Sequence, residues 1–234
     1  MTKNNDEPFN PGKGDLSKLE EVKAQQDMTL DAHRQPAVSK RHAKGYRTAR
    51  ENLEALVDAD SFVEYGQLAV AAQRARRSLE DLRSNTPADG VITGLATINA
   101  EQFGEARAAA AVIVNDYTVL AGTQGFFHHM KLDRIIHVAM ERQLPVVMFT
   151  EGGGGRPGDT DIQIGGGTLD VGSFVEWARL CASLPTIAVN NGYCFAGNAA
   201  LFGCADIRIA TRSSWIGMAG PAMIEGGGLG QFSP

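Results

Sequence analysis

Beyond residue 88 the chain alternates short apolar runs with polar or glycine-rich connections, and the spacing of the apolar positions changes from strand-like to helical and back. Gly90-Val91-Ile92-Thr93-Gly94-Leu95-Ala96-Thr97-Ile98 reads as one strand and Ala109-Ala110-Ala111-Val112-Ile113-Val114-Asn115 as another. With a turn or loop from Asn99 to Arg107 between them, they predict a β-hairpin entering a sheet. A helix follows from about Phe127 to Arg142, carrying Ile135, Ile136, Val138, Ala139 and Met140 on its later turns. Leu144 to Thr150 is a near-continuous apolar run of the kind buried in parallel sheets. Ser173 to Ser183 reads as the next helix, with Ser173 as its expected N-cap and Phe174, Trp177, Leu180 and Cys181 on one face, and Pro185 stops it. A strand into Asn190, a short helix Ala199 to Gly203, a strand Asp206 to Ala210 and a short strand Trp215 to Met218 complete the pattern, ahead of glycine-rich coil from Gly226. This order is that of repeated βαβ units, whose ligands sit beyond the carboxyl ends of the strands.

The first part of the chain has no such rhythm. Residues 1–41 are polar, broken by Pro8, Pro11 and Pro36, and predict a flexible arm with one short helix around Leu16 to Gln26, leaving 42–234 as the globular domain. Tyr46 to Val57 then reads as an amphipathic helix with Leu53, Leu56 and Val57 on its apolar side and Arg47 and Arg50 three apart on a neighbouring face. Phe62 to Gly66 looks extended, and the basic, Ala-rich run Leu68 to Ser84 reads as a surface helix or loop.

Two strand ends lead into small residues: Glu151 to Arg156, reading EGGGGR, and Asn190 to Ala210, reading NNGYCFAGNAALFGCADIRIA. Such junctions let main-chain N–H groups approach a ligand, so a held oxyanion is the chemistry to look for. The alternative at each glycine is close packing of helix on strand. A phosphate-cradling loop is a weaker candidate, because no G-x-x-x-x-G-K-[ST] is present.

Composition narrows this further. At 234 residues, 43% hydrophobic, the chain can bury the core of one α/β domain, and a net charge of −5 argues against a nucleic-acid partner. Cys181, Cys194 and Cys204 have no C-x-x-C spacing, so neither a disulfide framework nor a zinc ribbon is expected, and Cys194 and Cys204 read as small core fillers. Adjacent His128 and His129 cannot share a helix face, so no metal site is expected. With no signal peptide shape and no run of about 20 apolar residues, a cytoplasmic location and no membrane contact are expected.

Asn191 to Asn198 with Cys204 to Ala210 resembles the crotonase (enoyl-CoA hydratase) superfamily pattern. The run from Tyr46 onward is more similar to the N-terminal half of the carboxyltransferase component of biotin-dependent acyl-CoA carboxylases. The similarity is carried by Thr48-Ala49-Arg50-Glu51, Leu56-Val57-Asp58, Ser61-Phe62-Val63-Glu64, Ala88 to Gly94, Asp116-Tyr117-Thr118-Val119, Gly122 and Lys131, the Glu151 to Arg156 loop and Gly220-Pro221.

The resemblance implies an α/β fold, a crotonase-like spiral of ββα units incomplete at the C-terminal end. It implies transfer of a carboxyl group from carboxybiotin to the α-carbon of an acyl-CoA through an oxyanion-stabilised enolate. The implied donors are Ala196 and Gly197 at one junction and Gly154 and Gly155 at the other. Arg47, Arg50, Lys131 and Arg156 are the candidates for CoA phosphates, with surface charge or loop anchoring as the alternative. The implied partners are a biotin carboxyl carrier protein, biotin carboxylase and a complementary carboxyltransferase half, in a homo- or hetero-oligomer. Where hydratases of the superfamily carry glutamates this chain has Ala200 and Ala222, removing their general acid and base. A hydratase, isomerase or decarboxylase drawing an acid or base from the Asp159 to Asp170 loop, and a non-catalytic acyl-CoA-binding or assembly module, remain as alternatives.

Overall fold

The computed structural model describes residues 16–162 and 171–231. Its strands are β1 (Val63–Tyr65), β2 (Val91–Thr97), β3 (Ala109–Asn115), β4 (Val146–Phe149), β5 (Thr186–Asn190), β6 (Tyr193–Phe195), β7 (Ile207–Ala210) and β8 (Trp215–Gly217). Its helices are α1 (Leu16–Asp27), α2 (Gln35–His42), α3 (Ala49–Glu54), α4 (Leu79–Asn85), α5 (Ala100–Phe103), α6 (Glu105–Ala108), α7 (Phe126–Arg142), α8 (Gly172–Cys181), α9 (Gly197–Cys204) and α10 (Pro221–Gly226). The glycines at 165 to 167, Asp170 and the first 15 residues lie outside the described residues.

The main sheet runs β1-β2-β3-β4-β5-β7. Its first three strands are antiparallel, Val91 opposite Asn115 at one end of the β2–β3 ladder and Thr97 opposite Ala109 at the other. From β3 to β7 every pairing is parallel. β6 and β8 form a second, two-stranded parallel sheet. Thus β5, β6 and α9 are followed by β7, β8 and α10, two successive strand-strand-helix units whose equivalent strands pair with one another.

Strand alternation divides the core. Val91, Ala111, Ile113, Val146, Met148 and Ala188 face the apolar sides of α7, α8 and α9, where Leu132, Ile135, Ile136, Trp177, Leu180 and Leu201 are buried. Ile92, Ala96, Val112 and Val114 face the other way, onto Ala49 and Leu53 of α3. The Trp177 indole N–H donates to the Leu201 carbonyl at 3.0 Å, tying α8 to α9. At the edge, β7 leaves Ile207 and Ile209 about half exposed. No helix among the described residues is long and apolar enough to cross a membrane.

Several expectations change. The arm is not free over residues 28–41: Arg34 pairs with Asp116 at 2.8 Å and Arg41 with Glu151 at 2.5 Å, both pairs nearly buried. Its polar residues are partners for carboxylates of the domain, which composition cannot distinguish from solvated charge. The Tyr46 to Val57 helix contracts to α3, because Thr48 caps it through a reciprocal bond with Glu51. Arg47 therefore precedes the helix, exposed, while Arg50 is buried inside it. Ser173 is not the N-cap of α8, Val171 is. Cys194 is buried as expected, whereas Cys204 is exposed. The hydrophobic pattern does not predict strand β6 or helix α10, both being too short for periodicity to register.

Thr48→Ala removes the hydroxyl that accepts the Glu51 N–H at 3.1 Å and also bonds Asp31. We expect a loss of about 1–2 kcal/mol, read as a lower denaturant midpoint at unchanged slope.

Candidate functional site

Both glycine junctions lie beyond the carboxyl ends of parallel strands, and the fold presses them together. Gly154 has φ +90, and a Cβ there would stand 2.6 Å from the Ala196 Cβ. Ala196, the residue before α9, has φ 50 and ψ −119, a conformation that costs a non-glycine residue on the order of 1–3 kcal/mol. Its N–H donates to the Gly217 carbonyl at 3.0 Å and its own carbonyl accepts from Ala200, so strand β8 and helix α9 hold the strain in place.

The hydrogen bonds sort the four expected donors into two pairs. Gly154 gives its N–H to the Asn198 side-chain oxygen at 3.0 Å, and Ala196 gives its own to Gly217. Among the described residues the N–H groups of Gly155 and Gly197 have no acceptor. Gly155 faces open space, with nothing within 4 Å of where a Cβ would sit. Gly197 lies under the Gln124 side-chain oxygen, with Phe174 Cζ 2.9 Å from an added Cβ. Asn198, fully buried, joins the junctions by accepting from Gly154 and donating to the Glu151 carbonyl at 3.5 Å. It lies inside the quoted motif, but only the tertiary contact reveals this role.

Two ion networks fix the loop between them. Arg156 reaches back to Asp89 in an ion pair, donates to the Thr123 carbonyl at 2.6 Å and lies 3.5 Å from Asp159. The same two carboxylates cap α7, Asp159 accepting from the Phe126 N–H at 2.9 Å and Asp89 from the His128 N–H at 2.8 Å. Burial nonetheless raises the Asp89 pKa, Arg156 acting in the opposite direction. At the start of the loop, Arg41 donates to Glu151 while its guanidinium lies 4.5 Å from the centre of the Tyr46 ring. Burial raises the Glu151 pKa against this pairing. Gly192 leaves the room in which the Glu151 carboxylate sits.

The candidates for CoA phosphates separate accordingly. Arg50 forks onto Glu64 at 2.6 and 3.1 Å. Lys131 donates to the carbonyls of Ala88 and Val91, and burial lowers its pKa to about 8. Arg156 is enclosed by Asp89, Asp159 and Thr123. All three have internal partners. Arg47 alone among the four is exposed and outside any ion pair of the described residues.

A cavity of about 550 Å³ opens over Gly155, lined by Gln124, Phe126, His129, Met130, Asp133 and Ser173 among others. Ser173 resembles a nucleophile here, but its hydroxyl donates to Asp133 at 2.5 Å, so His129 Nδ1, 3.0 Å away, must be the donor to it. The serine is therefore a clasp between α7 and α8, held by Asp133 and His129. Asp159 and Asp161 are also engaged, Asp159 with Gln73 and Phe126, and Asp161 with the N–H groups of Arg74 and Ala75.

Comparison with known proteins shows where the chain is similar. The sequence profile described as carboxyl transferase domain matches residues 40–227. The probable biotin-dependent acyl-coenzyme A carboxylase beta2 subunit of Mycobacterium tuberculosis is 30% identical over 213 residues, which cover 89% of this chain and 36% of that one. The propionyl-CoA carboxylase beta chain of Saccharopolyspora erythraea is 31% identical over 77% of this chain and 31% of its own length. The chain thus spans about a third of the length of these curated relatives. Among solved structures, a single-chain, multi-domain long-chain acyl-CoA carboxylase is 56% identical with a TM-score of 0.87, covering 95% of this chain and 22% of that one. A transcarboxylase 12S structure superposes with a TM-score of 0.74 at 23% identity, over 96% of this chain and 42% of that one, and supports the fold.

The buried Arg41–Glu151 pair predicts a pH-dependent stability. A carboxyl whose folded pKa is raised stabilises the fold while protonated and loses that contribution as pH rises from its unfolded to its folded value. Arg41→Ala raises the folded value further. We expect a loss of about 3–5 kcal/mol at about pH 8 that narrows at about pH 5, measured by urea unfolding at both.

Proposed function

The chain belongs to the carboxyl transferase domain family, and we propose that it forms the thioester-holding part of a carboxyltransferase site in a biotin-dependent acyl-CoA carboxylase. The carrying observation is the pair of junctions in contact, with the N–H groups of Gly155 and Gly197 left without internal acceptors. Unpaired amide hydrogens beside a cavity suit an oxygen that gains charge, and each such donor contributes typically about 3–4 kcal/mol to an oxyanion transition state. Gly155 and Gly197 are the proposed donors. Ala196 and Gly154, whose hydrogens are already bonded, set their positions.

In this reading an acyl-CoA would place its thioester oxygen at the two donors; its α-proton would pass to the ureido nitrogen of biotin freed when the carboxyl group leaves, and the donors would hold the charge of the resulting enolate. Carboxybiotin, brought by a carrier protein, supplies the carboxyl group. This chain contributes rigid amide donors and a wall that excludes water. It contributes no carboxylate at 200 or 222, where alanines stand. Asp159 and Asp161 are both hydrogen-bonded within the fold, which weighs against either as the acid or base of the hydratase alternative, and Asp170 lies outside the described residues. Arg47 is the remaining candidate for a CoA phosphate. The strand-strand-helix repeat supports the crotonase-like spiral. The proposed partners are a complementary carboxyltransferase half, the biotin carboxyl carrier protein and biotin carboxylase, in a homo- or hetero-oligomer.

Supplied with a complementary half and a carboxylated carrier, the chain is expected to give a malonyl-type product from an acyl-CoA; no product with a competent partner sinks the reading. Tight calorimetric binding of CoA esters without turnover would favour a non-catalytic module instead. Gly155→Ala adds a methyl that meets no protein atom within 4 Å. It should leave the melting temperature unchanged while weakening acyl-CoA binding by about tenfold or more, since the methyl enters the floor of the cavity.

A further inference from the structure

We propose that the side-chain carboxamide of Gln124 is a third hydrogen-bond donor to the ligand, placed between the two glycine junctions; the assignment rests on the thioester reading above. Gln124 is 3% exposed, and its Nε2 is buried with no partner in the structure. A buried amide left unpaired costs about 1–3 kcal/mol, and native folds rarely retain one that nothing satisfies.

The backbone of this residue fixes where that group stands. Gln124 donates its N–H to the Gly154 carbonyl at 2.7 Å and accepts from the Arg156 N–H at 2.9 Å, forming a parallel bridge opposite Gly155. Its side-chain oxygen, meanwhile, rests against Gly197, where no Cβ would fit. One residue thus spans both junctions and lines the cavity with Gly155.

The lining identifies the ligand's reacting end. Phe126, Met130 and Val171 offer apolar wall, while Asp133 and Asp159 bring negative charge and the guanidinium of Arg156 is already enclosed. Among the described residues, a phosphate would meet carboxylates and no free cation there. An uncharged carbonyl oxygen attached to an apolar acyl chain matches donors and wall together. Gln124 therefore acts on the thioester end of the substrate, apart from its nucleotide.

The test uses the full chain, calorimetry, and two probes, decanoyl-CoA and free CoA, which lacks the carbonyl. Gln124→Met keeps the volume and removes the donor. We expect decanoyl-CoA affinity to fall about tenfold, free-CoA affinity to stay unchanged, and the ligand-free melting temperature to hold or rise, because an unpaired amide has been removed. Gln124→Glu keeps the shape, and its affinity loss for decanoyl-CoA should be larger at about pH 8 than at about pH 5, because burial at this position favours the protonated carboxyl, which donates again. Unchanged affinity for decanoyl-CoA in both variants, or an equal loss for both probes, overturns the assignment. If the unaltered chain binds free CoA and decanoyl-CoA equally, or neither, the thioester reading itself falls and this inference with it.

Discussion

The structure around the junctions depends on Arg156 meeting two carboxylates at the first turn of a helix. Asp89 and Asp159 each accept a backbone N–H from the start of α7, where unpaired donors and the helix dipole favour negative charge. The two anions then need a buried cation, and Arg156 supplies it from the end of the glycine loop. One network thereby sets where α7 begins, where the turn before β2 closes and where the loop after β4 must pass. Ala88, Asp89 and Gly90 all have positive φ at that turn, so the Asp89 carboxylate is brought to the helix against local backbone preference.

With the loop anchored at that end, its other end is held by Glu151 and Arg41. The N-terminal segment is in this way a structural part of the site, although it lies 110 residues away in sequence. Asn198 closes the assembly from the other junction, and the strained Ala196 supplies the turn into α9. These residues share one physical purpose. Main-chain donors lower a barrier only when they need not reorganise as charge develops, and here the N–H groups of Gly153, Gly154, Arg156 and Ala196 are bonded within the fold while those of Gly155 and Gly197 are left without acceptors among the described residues. Gly154, whose hydrogen is used, and Gly155, whose hydrogen is not, show how finely a single loop divides those roles.

Sequence was most informative where periodicity was long or composition extreme. The β2–β3 hairpin, α7, the buried run of β4 and both strand-to-glycine junctions were legible, because alternation, helical spacing and glycine clusters are local signals. The order of motifs pointed to the carboxyltransferase family on the same local basis. The ranges of β6 and α10 escaped, being three and six residues long.

What local signals cannot carry is the partner of a charge. Arg50, Lys131 and Arg156 look in sequence like any basic residue able to meet a phosphate, and only the fold shows Glu64, two carbonyls and Asp89 already beside them. The docking of residues 28–41 was hidden for the same reason, since a polar segment reads as mobile until its carboxylate partners are located. Gln124 gave no signal at all, its meaning residing in an unpaired nitrogen between two junctions. Sequence by itself determined the longer elements of the sheet and its covering helices, the family and the two strand-to-glycine junctions, because these follow from neighbours along the chain. Tertiary structure alone decided which amide hydrogens are free and which charges are already neutralised, because both depend on contacts between residues far apart in the chain.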